Sequence, residues 1–251
     1  MKKIASIVLA AGLGKRMCST LPKVLHRVCG RSMLFYPLET LRGVKVKKTV
    51  VVIGHGGESV REFFGNSGVT FVTQEEQLGT GHAVRCAEKA LRGFSGDILI
   101  LSGDVPLIQP GILKELIRRH RKGGATLSLV TMALEEPTGY GRIVRDSSGA
   151  VERVVEEKDT TTDERRLREV NAGIYMVDAE FLFSNLKRVK SSNAQGEYYL
   201  PDLVSMAVGG GGRVVAVQHS DPREVMGVNN RVELAGANGV MRERINRGHM
   251  M

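Results

Sequence analysis

A chain of 251 residues, 42% hydrophobic and 25% charged, can bury a substantial core and has the composition of an ordinary globular protein. The formal net charge of +9 favours anionic partners, but there is no tryptophan and only 5% of the residues are aromatic. So few stacking surfaces argue against nucleic acid as a partner. No apolar run reaches the roughly 20 residues that a membrane-spanning helix needs, so we expect no membrane partner either.

The cysteines indicate the cellular compartment. Cys18, Cys29 and Cys86 are odd in number and include no CxxC pair, which argues against a disulfide framework and against a zinc site. The reducing cytoplasm is therefore the predicted location. Residues 1–11 resemble a short signal peptide, but a basic, glycine-rich loop follows at once, and a buried first strand explains the apolar run better.

Short apolar runs alternate with amphipathic stretches along the first half, as in βαβ units that build a mostly parallel sheet. The predicted strands are Ile4–Leu9, Thr49–Ile53, Thr70–Thr73, Ile98–Leu101, Thr126–Met132, Gly173–Val177 and Val214–Val217. The predicted helices are Met33–Leu41, Ser59–Phe64, Gly81–Leu91 and Ile112–Arg121. Several strands are continuous runs of Val, Ile and Leu, which indicates helices on both faces of the sheet.

The pattern changes after about residue 132. Tyr140–Asp146 and Val151–Glu156, joined by a Ser-Ser-Gly turn, predict a hairpin, and the charged residues 158–169 predict a mobile loop. Four glycines at 209–212 predict a turn, and a last helix is predicted from Asn230 to Arg247. We therefore expect an α/β fold, a Rossmann-like, mostly parallel mixed sheet flanked by helices, with a C-terminal helix. The predicted division is residues 1–229 and 230–251.

A glycine-rich turn follows the first predicted strand, in the sequence Leu-Ala-Ala-Gly-Leu-Gly-Lys-Arg-Met. Consecutive backbone N–H groups in such a turn bind phosphate oxygens, and Gly12 and Gly14 let the backbone come close. Arg16 and Lys23 add positive charge for a polyphosphate. A dinucleotide fingerprint is excluded because methionine replaces its third glycine, and a GxxxxGK[ST] loop is absent from the stretch. An ordinary tight turn remains open on the glycines alone.

Two further segments carry groups suited to a nucleotide and a metal. The Gln74 amide offers a donor and an acceptor to the edge of a pyrimidine, and Gly79 and Thr80 lie where a helix start presents N–H groups. Asp104 follows a predicted strand, at the edge where open α/β sheets bind ligands, and is a hard oxygen ligand suited to Mg²⁺. Taken singly, these residues could also be a helix cap and a turn aspartate.

The longer motifs resemble those of sugar-1-phosphate nucleotidyltransferases, enzymes of the nucleotide-diphospho-sugar transferase type. The resemblance begins with Leu-Ala-Ala-Gly at 9–12, Arg-Met at 16–17 and Leu-Pro-Lys-Val-Leu at 21–25. Gln-x4-Gly-Thr-Gly from Gln74, Gly-Asp-x-Pro-Leu around Asp104 and Gly-Val-Asn-Asn-Arg at 227–231 narrow it further. They resemble the uridylyltransferase domain that makes UDP-N-acetylglucosamine, and the likeness covers essentially the whole chain.

The resemblance implies a role for each matching residue. Arg16, Lys23 and Asp104 would be the catalytic residues, and Asp104 and Asn229 would be the ligands of a Mg²⁺ cofactor. The other implied contacts to the nucleotide and the sugar are Leu9, Ala10, Ala11, Gly12, Gly14, Gln74, Gly79, Thr80, Ser102, Gly103, Gly141, Glu156 and Asn171.

The resemblance also implies a reaction: UMP passes from UTP to N-acetylglucosamine 1-phosphate, giving UDP-N-acetylglucosamine for cell-envelope precursors, and pyrophosphate. Another base or sugar, or a nucleotide-sugar-binding regulatory protein without turnover, stays open. In the bifunctional bacterial enzymes of this family a β-helix acetyltransferase domain follows, and Arg242–Met251 resembles the junction to it. We therefore expect neither acetyltransferase activity nor the trimer that the β-helix builds, and the oligomeric state stays open.

Overall fold

The computed structural model describes residues 2–250, which form eleven strands and seven helices. The strands are β1 Lys3–Ala10, β2 Arg27–Val28, β3 Arg31–Ser32, β4 Lys48–Ile53, β5 Thr70–Thr73, β6 Gly96–Ser102, β7 Leu127–Ala133, β8 Arg142–Arg145, β9 Val151–Val155, β10 Glu169–Asp178 and β11 Val214–His219. The helices are α1 Phe35–Arg42, α2 Gly57–Phe64, α3 Thr80–Cys86, α4 Pro110–Gly123, α5 Ala179–Leu186, α6 Asp202–Gly209 and α7 Arg231–Met250.

Nine of the strands form one mixed sheet with the order β11-β7-β10-β6-β1-β4-β5. β1 is parallel to β4 and β6, β4 to β5, and β7 to β11, whereas β10 runs antiparallel between β6 and β7. β8 and β9 form a hairpin that continues from β10. The predicted fold class, a mostly parallel mixed sheet flanked by helices, is confirmed.

Alternate residues of β1 face two separate cores. Ile4 and Val8 pack in the cluster that contains the apolar faces of α1, α2 and α4. Ala5 and Ile7 pack in the cluster that contains α3, α5 and α6. Both faces of the central strand are therefore covered by helices, which is why its sequence is a continuous apolar run.

Parallel pairing brings the functional loops together. β1 and β6 run side by side until Leu9 meets Ser102, so the loops that follow them leave the sheet at the same edge. The loop after β4 leaves from this edge as well, since Ala10 pairs with Ile53. This is the edge at which open α/β sheets bind ligands.

Several boundaries differ from the prediction. α3 ends at Cys86, and the remainder of the predicted helix is a single 3₁₀ turn at Lys89–Leu91. β10 begins four residues before the predicted Gly173, with a bulge between Asn171 and Tyr175 where Gly173 has a φ of 71°. α5 and α6, of eight residues each, were not predicted.

The segment 158–169 was predicted to be a mobile loop, and its mobility stays a prediction. The segment contains two 3₁₀ turns, Glu157–Asp159 and Glu164–Arg166. The Glu164 carboxylate accepts a hydrogen bond of 2.7 Å from the Arg153 guanidinium of β9 and one of 2.8 Å from the Thr161 N–H. These contacts anchor the segment to the hairpin.

The last helix is confirmed and packs against the body of the protein. Ala237 and Met241 of α7 lie in a small third core with Val28 and Met33. The predicted division into residues 1–229 and 230–251 stays a prediction, and Met1 and Met251 lie outside the described residues. No helix within residues 2–250 is long and apolar enough to cross a membrane.

Candidate active site

A cavity of about 350 Å³ lies at the carboxyl ends of β1 and β6. Its walls contain ten of the predicted site residues, namely Leu9, Ala10, Ala11, Gly12, Lys23, Gln74, Gly79, Thr80, Ser102 and Asp104. Predicted residues that do not line it are Gly14, Arg16, Gly103, Gly141, Glu156, Asn171 and Asn229. A larger groove of about 920 Å³ lies near the amino ends of these strands and contains none of the predicted residues.

The glycine-rich loop is shaped by a left-handed residue. Gly14 has a φ of 62°, and a Cβ atom there would lie 2.8 Å from the Lys23 Cβ. Only glycine therefore allows the loop to pack against the lysine. Met17 is buried and anchors the end of the loop, whereas Arg16 is exposed at the rim. The predicted cationic residue thus faces solvent, outside the cavity wall.

Lys23 forms the electrostatic centre of the site. Its ammonium is ion-paired with the Asp104 carboxylate and donates a hydrogen bond of 3.0 Å to the Asn229 Oδ1. The side chains of Lys23 and Asp104 are only 14% and 18% exposed, so solvent screens their attraction weakly. The Val228 N–H also donates to the Asp104 carbonyl at 2.9 Å. Lys23 and Asn229 are 206 positions apart in the sequence, yet their side chains are hydrogen-bonded at the centre of the site.

The two predicted metal ligands fit a divalent cation. Asp104 and Asn229 turn one carboxylate and one amide oxygen toward the same cationic nitrogen, and both are hard oxygen donors. A Cβ at Gly227 would lie 3.3 Å from the Asp104 Oδ1, so a glycine keeps the space beside the carboxylate open. Among residues 2–250 there is no cluster of three or more His, Cys, Asp or Glu side chains that could hold a metal. Mg²⁺ commonly binds through one or two protein ligands together with substrate phosphates.

Asn229 is positioned by the start of α7. Its backbone N–H donates to the Glu233 Oε2 at 2.7 Å, and the Asn230 amide donates to the Glu233 Oε1 at 2.6 Å. The Glu233 N–H in turn donates to the Asn230 Oδ1 at 2.9 Å. Asn230 therefore caps the helix, as its sequence position favours, and leaves the Asn229 side chain free to face Lys23.

The opposite end of the cavity is built where α3 meets the segment 197–200. Gly79 has a φ of 103°, and a Cβ there would lie 2.7 Å from the Tyr198 carbonyl oxygen. The Gly81 N–H donates to that carbonyl at 2.7 Å, and the Thr80 hydroxyl accepts from the Leu200 N–H at 3.0 Å. Part of the hydrogen-bonding capacity of Thr80 is thus used to hold this wall.

Three predicted sugar contacts lie beside the cavity, around β8, β9 and β10. A Cβ at Gly141 would be 3.5 Å from the Glu156 Oε1, so the two residues adjoin. The Asn171 amide donates to the Tyr175 hydroxyl at 2.5 Å, and its oxygen accepts from the Gly173 N–H at 3.0 Å. Gly173 lies close to Ser102 of the cavity wall, since a Cβ there would be 3.4 Å from the Ser102 Oγ.

Two carboxyl groups on this side, those of Glu156 and Asp202, have raised pKa values. Burial raises the pKa of Glu156 to about 7, and the neighbouring charges of Asp159, Asp202 and Glu197 add to the effect. Burial, with the charge of Asp159, raises the pKa of Asp202 to about 6. Asp159 itself accepts hydrogen bonds from the Ala194 N–H and the Tyr199 hydroxyl. The side with the predicted sugar contacts therefore holds clustered carboxyl groups that favour the protonated form, in contrast to the cationic centre at Lys23.

The sequence analysis missed several residues of the site. Gln77 and Glu197 also line the cavity. The Arg231 guanidinium donates to the carbonyls of Met17 and Cys18 at 2.9 and 3.2 Å, which ties α7 to the end of the glycine-rich loop. Arg231 lies inside the motif at 227–231 that was matched as a string, so the signal was present but carried no role. Gln77 forms part of Gln-x4-Gly-Thr-Gly, at a variable position of that pattern.

Comparison with known families agrees with this geometry. The profile of the MobA-like NTP transferase domain matches residues 6–170, which includes most of β1, the glycine-rich loop, Asp104 and the first residues of β10. The match covers well over half of the chain, so the chain belongs to the family of MobA-like NTP transferase domains. The predicted enzyme class, nucleotidyltransferase, is confirmed at the level of this family.

The chain is also similar over its whole length to proteins named bifunctional protein GlmU. That of Geobacter metallireducens is 52% identical over 252 residues, which is 100% of this chain and 53% of that protein. That of Pelobacter propionicus is 49% identical over 252 residues, 100% and 55% of the two chains, and that of Caldanaerobacter subterraneus 46% over 250 residues, 100% and 54%. The chain thus spans about half the length of these curated relatives, and the resemblance drawn from the motifs is confirmed.

Proposed function

We propose that this chain transfers UMP from UTP to N-acetylglucosamine 1-phosphate, with Mg²⁺ as its cofactor, and releases pyrophosphate. One observation carries the proposal: Lys23, Asp104 and Asn229 converge on one charge centre beside a backbone loop of the type that binds phosphates. The choice of uridine rests on the motif that follows β5, and that of N-acetylglucosamine on the contacts that the resemblance assigns to Gly141, Glu156 and Asn171. The cytoplasmic location and the part in cell-envelope precursor synthesis stay predictions.

The proposed step is an in-line displacement at the α-phosphorus of UTP. A phosphate oxygen of the sugar phosphate forms the new P–O bond, the bond from the α-phosphorus to the bridging oxygen breaks, and pyrophosphate leaves with that electron pair. Because the nucleophile is already an anion, no protein group has to remove a proton. Catalysis then depends on alignment and on neutralising the converging charges.

Each cationic or oxygen-bearing residue has a task in this scheme. Asp104 and Asn229 would hold the Mg²⁺, which when bound supplies positive charge to the phosphates. Lys23, released from these two partners, would meet the nucleotide phosphates with its ammonium. The N–H groups of the glycine-rich loop and the rim residue Arg16 would hold the departing pyrophosphate.

The sugar would lie against β8, β9 and β10, next to the nucleotide. We assign the Glu156 carboxylate to the sugar hydroxyls, the Gly141 backbone to the acetamido end, and the remaining N–H of the Asn171 amide to a further sugar oxygen. The closeness of Gly141 to Glu156 and of Gly173 to Ser102 supports a sugar pocket continuous with the cavity.

The test is pyrophosphate release in the presence of Mg²⁺. UTP with N-acetylglucosamine 1-phosphate is compared with UTP plus glucose 1-phosphate, and with TTP, CTP and GTP each paired with N-acetylglucosamine 1-phosphate. Asp104→Asn serves as the control for contaminating activity. We expect fast turnover for the first pair and only slow turnover for the others.

Two results would contradict the proposal in different ways. A preference for another base or sugar would keep the reaction and overturn the substrate. No turnover with any pair, from a folded protein that binds UTP, would favour a regulatory protein that binds nucleotide sugars.

A further inference from the structure

The Gln74 amide at the end of β5 is held in one orientation. The residue is only 3% exposed, and its Nε2 lies 3.1 Å from the Gly79 carbonyl oxygen and 3.0 Å from the His82 Nδ1. A carbonyl oxygen can only accept, so the end of the amide that faces Gly79 is the NH₂ group. The Gly79 contact therefore fixes which end of the amide is nitrogen.

The same contacts define the state of His82. The second N–H of the Gln74 amide points at the Nδ1, which must accept, so the neutral ring carries its proton on Nε2. Burial lowers the pKa of His82 and the charge of Arg85 lowers it further, whereas the backbone and the carboxylate of Glu76 act in the opposite direction. The ring is therefore neutral at pH 7, and its Nδ1 is available as an acceptor.

With both N–H groups engaged, the Gln74 Oε1 is the part of the amide left for a ligand. Within residues 2–250, no group donates a hydrogen bond to this oxygen. The oxygen is also accessible to solvent. Gln74 lines the cavity beside Gly79 and Thr80. The Gln74 side chain therefore presents a hydrogen-bond acceptor to the cavity, and no donor.

We propose that His82, which lies behind Gln74, sets the base selectivity of the site by holding the Gln74 carbonyl oxygen toward the cavity. An inward acceptor selects a base with an N–H at the centre of its pairing edge, as uracil and thymine have at N3. It rejects cytosine, whose N3 is itself an acceptor. The inference rests on the proposed function, because it assumes that the base binds at Gln74.

His82 acts here as a positioning residue, since it is not part of the cavity wall. Its ring lies 6.3 Å from the Tyr198 ring, and the Arg85 guanidinium lies 5.1 Å from the same ring. Arg85 and His82 thus share α3 and a neighbour, but only His82 is hydrogen-bonded to Gln74. This makes Arg85 the natural position for a matched control.

The experiment measures equilibrium binding of UTP and CTP, without sugar phosphate, by calorimetry. His82→Leu removes the acceptor, whereas His82→Asn can retain one near the position of Nδ1. We expect the UTP-to-CTP affinity ratio to fall by about three- to tenfold in His82→Leu, the size of one lost hydrogen bond. The ratio should stay within about twofold of the wild type in His82→Asn and in the control Arg85→Leu.

A double variant separates positioning from a general loss of structure. If His82 acts through Gln74, His82→Leu should leave the ratio unchanged in a Gln74→Ala background. In the wild type the ratio should fall as the pH drops below the usual histidine range, because a protonated Nδ1 would oppose the amide NH₂. The same titration in His82→Asn should be flat.

The outcomes distinguish this inference from the proposed function. A wild type that binds CTP as well as UTP would overturn the assigned base and the inference together. A clear preference for UTP that survives in His82→Leu, or that falls equally in Arg85→Leu, would overturn the inference alone. An effect of His82→Leu that persists in the Gln74→Ala background would also overturn it.

Discussion

The proposed nucleotide side and the proposed sugar side of the site differ in their chemical groups. The nucleotide side consists of backbone N–H groups and the Lys23 ammonium, packed so closely that a side chain at Gly14 or Gly79 would collide with its neighbours. The sugar side presents carboxylates, and burial holds the pKa of Glu156 near 7 and that of Asp202 near 6. The first side depends on backbone shape, whereas the second depends on protonation.

The difference follows from the sheet. Parallel strands end at a common edge, so the loops after β1, β4 and β6 meet there and present backbone groups in succession. On the other side β10 is antiparallel and extends into the β8–β9 hairpin, whose side chains face the site from the flank. The loops after the parallel strands thus contribute backbone groups, and the antiparallel strands contribute side chains.

The largest effect should come from Asp104, which is ion-paired with Lys23. We expect Asp104→Asn to lower kcat for pyrophosphate release by about two to four orders of magnitude, since it removes the charged metal ligand. The melting temperature should fall as well, because the ion pair with Lys23 is lost, so kcat is compared at a temperature at which both proteins are folded. Asp163→Asn, whose side chain is 92% exposed, is the matched control and should retain the wild-type kcat. Near-normal turnover of Asp104→Asn would contradict the proposal that Asp104 binds a catalytic cation.

A smaller effect, on stability, tests the dependence on backbone shape. Gly14→Ala places a Cβ 2.8 Å from the Lys23 Cβ at a φ of 62°, and should lower the free energy of unfolding by about 1–2 kcal/mol or more. Gly12→Ala is the control, because a Cβ there has no atom within 4 Å and its φ is not positive. Urea denaturation of the two variants makes the comparison. Equal loss in both would mean that the loop does not depend on the close packing at Gly14.

The smallest effect should be the pH dependence of the sugar side. The pKa of Glu156 is raised from 4.5 to about 7, so the folded state favours the protonated form. Its stabilising contribution is complete below pH 4.5 and is lost as the pH rises through about 7. Glu156→Gln cannot lose a proton, so its melting temperature should rise relative to the wild type between about pH 5 and pH 8.

Activity should follow the same titration with the opposite sign. If the Glu156 carboxylate accepts hydrogen bonds from the sugar, the wild-type KM for the sugar phosphate should fall as the pH rises through about 7. The KM of Glu156→Gln should be raised a few-fold and should not change with this titration. Glu152→Gln, at an exposed position of the same hairpin, should behave like the wild type. A wild-type KM that does not change with pH would contradict the assignment of Glu156 to the sugar.

The first half of the fold was readable from the sequence because its signals are local. The strand Thr70–Thr73 was predicted to the residue, and β1 and β4 to within one residue at each end. The second half follows long-range pairing. β10 is twice as long as its apolar core suggests, since the polar residues Glu169 and Asn171 pair with β7. No local sequence pattern indicates that these polar residues pair with β7.

The site was readable as motifs but not as contacts. The string that contains Lys23 and the one that contains Asp104 are each recognisable, yet nothing in them states that Asn229 lies 3.0 Å from the Lys23 ammonium. The exposure of Arg16 and the hydrogen bond between Gln74 and His82 are likewise properties of the folded chain. Motifs supply candidate residues, whereas geometry shows which of them act on one another.

The antiparallel strand β10 also bears on how the protein is made. It is the only described partner that joins β7 to β6, and β11 pairs with β7 alone. On the ribosome, a chain that has not yet reached Glu169 therefore carries two strands with bare hydrogen-bonding edges, each able to pair with a neighbouring nascent chain. The strand that contains Asn171 thus covers the facing edges of β6 and β7 during synthesis, and the other edge of β7 stays bare until β11 is made.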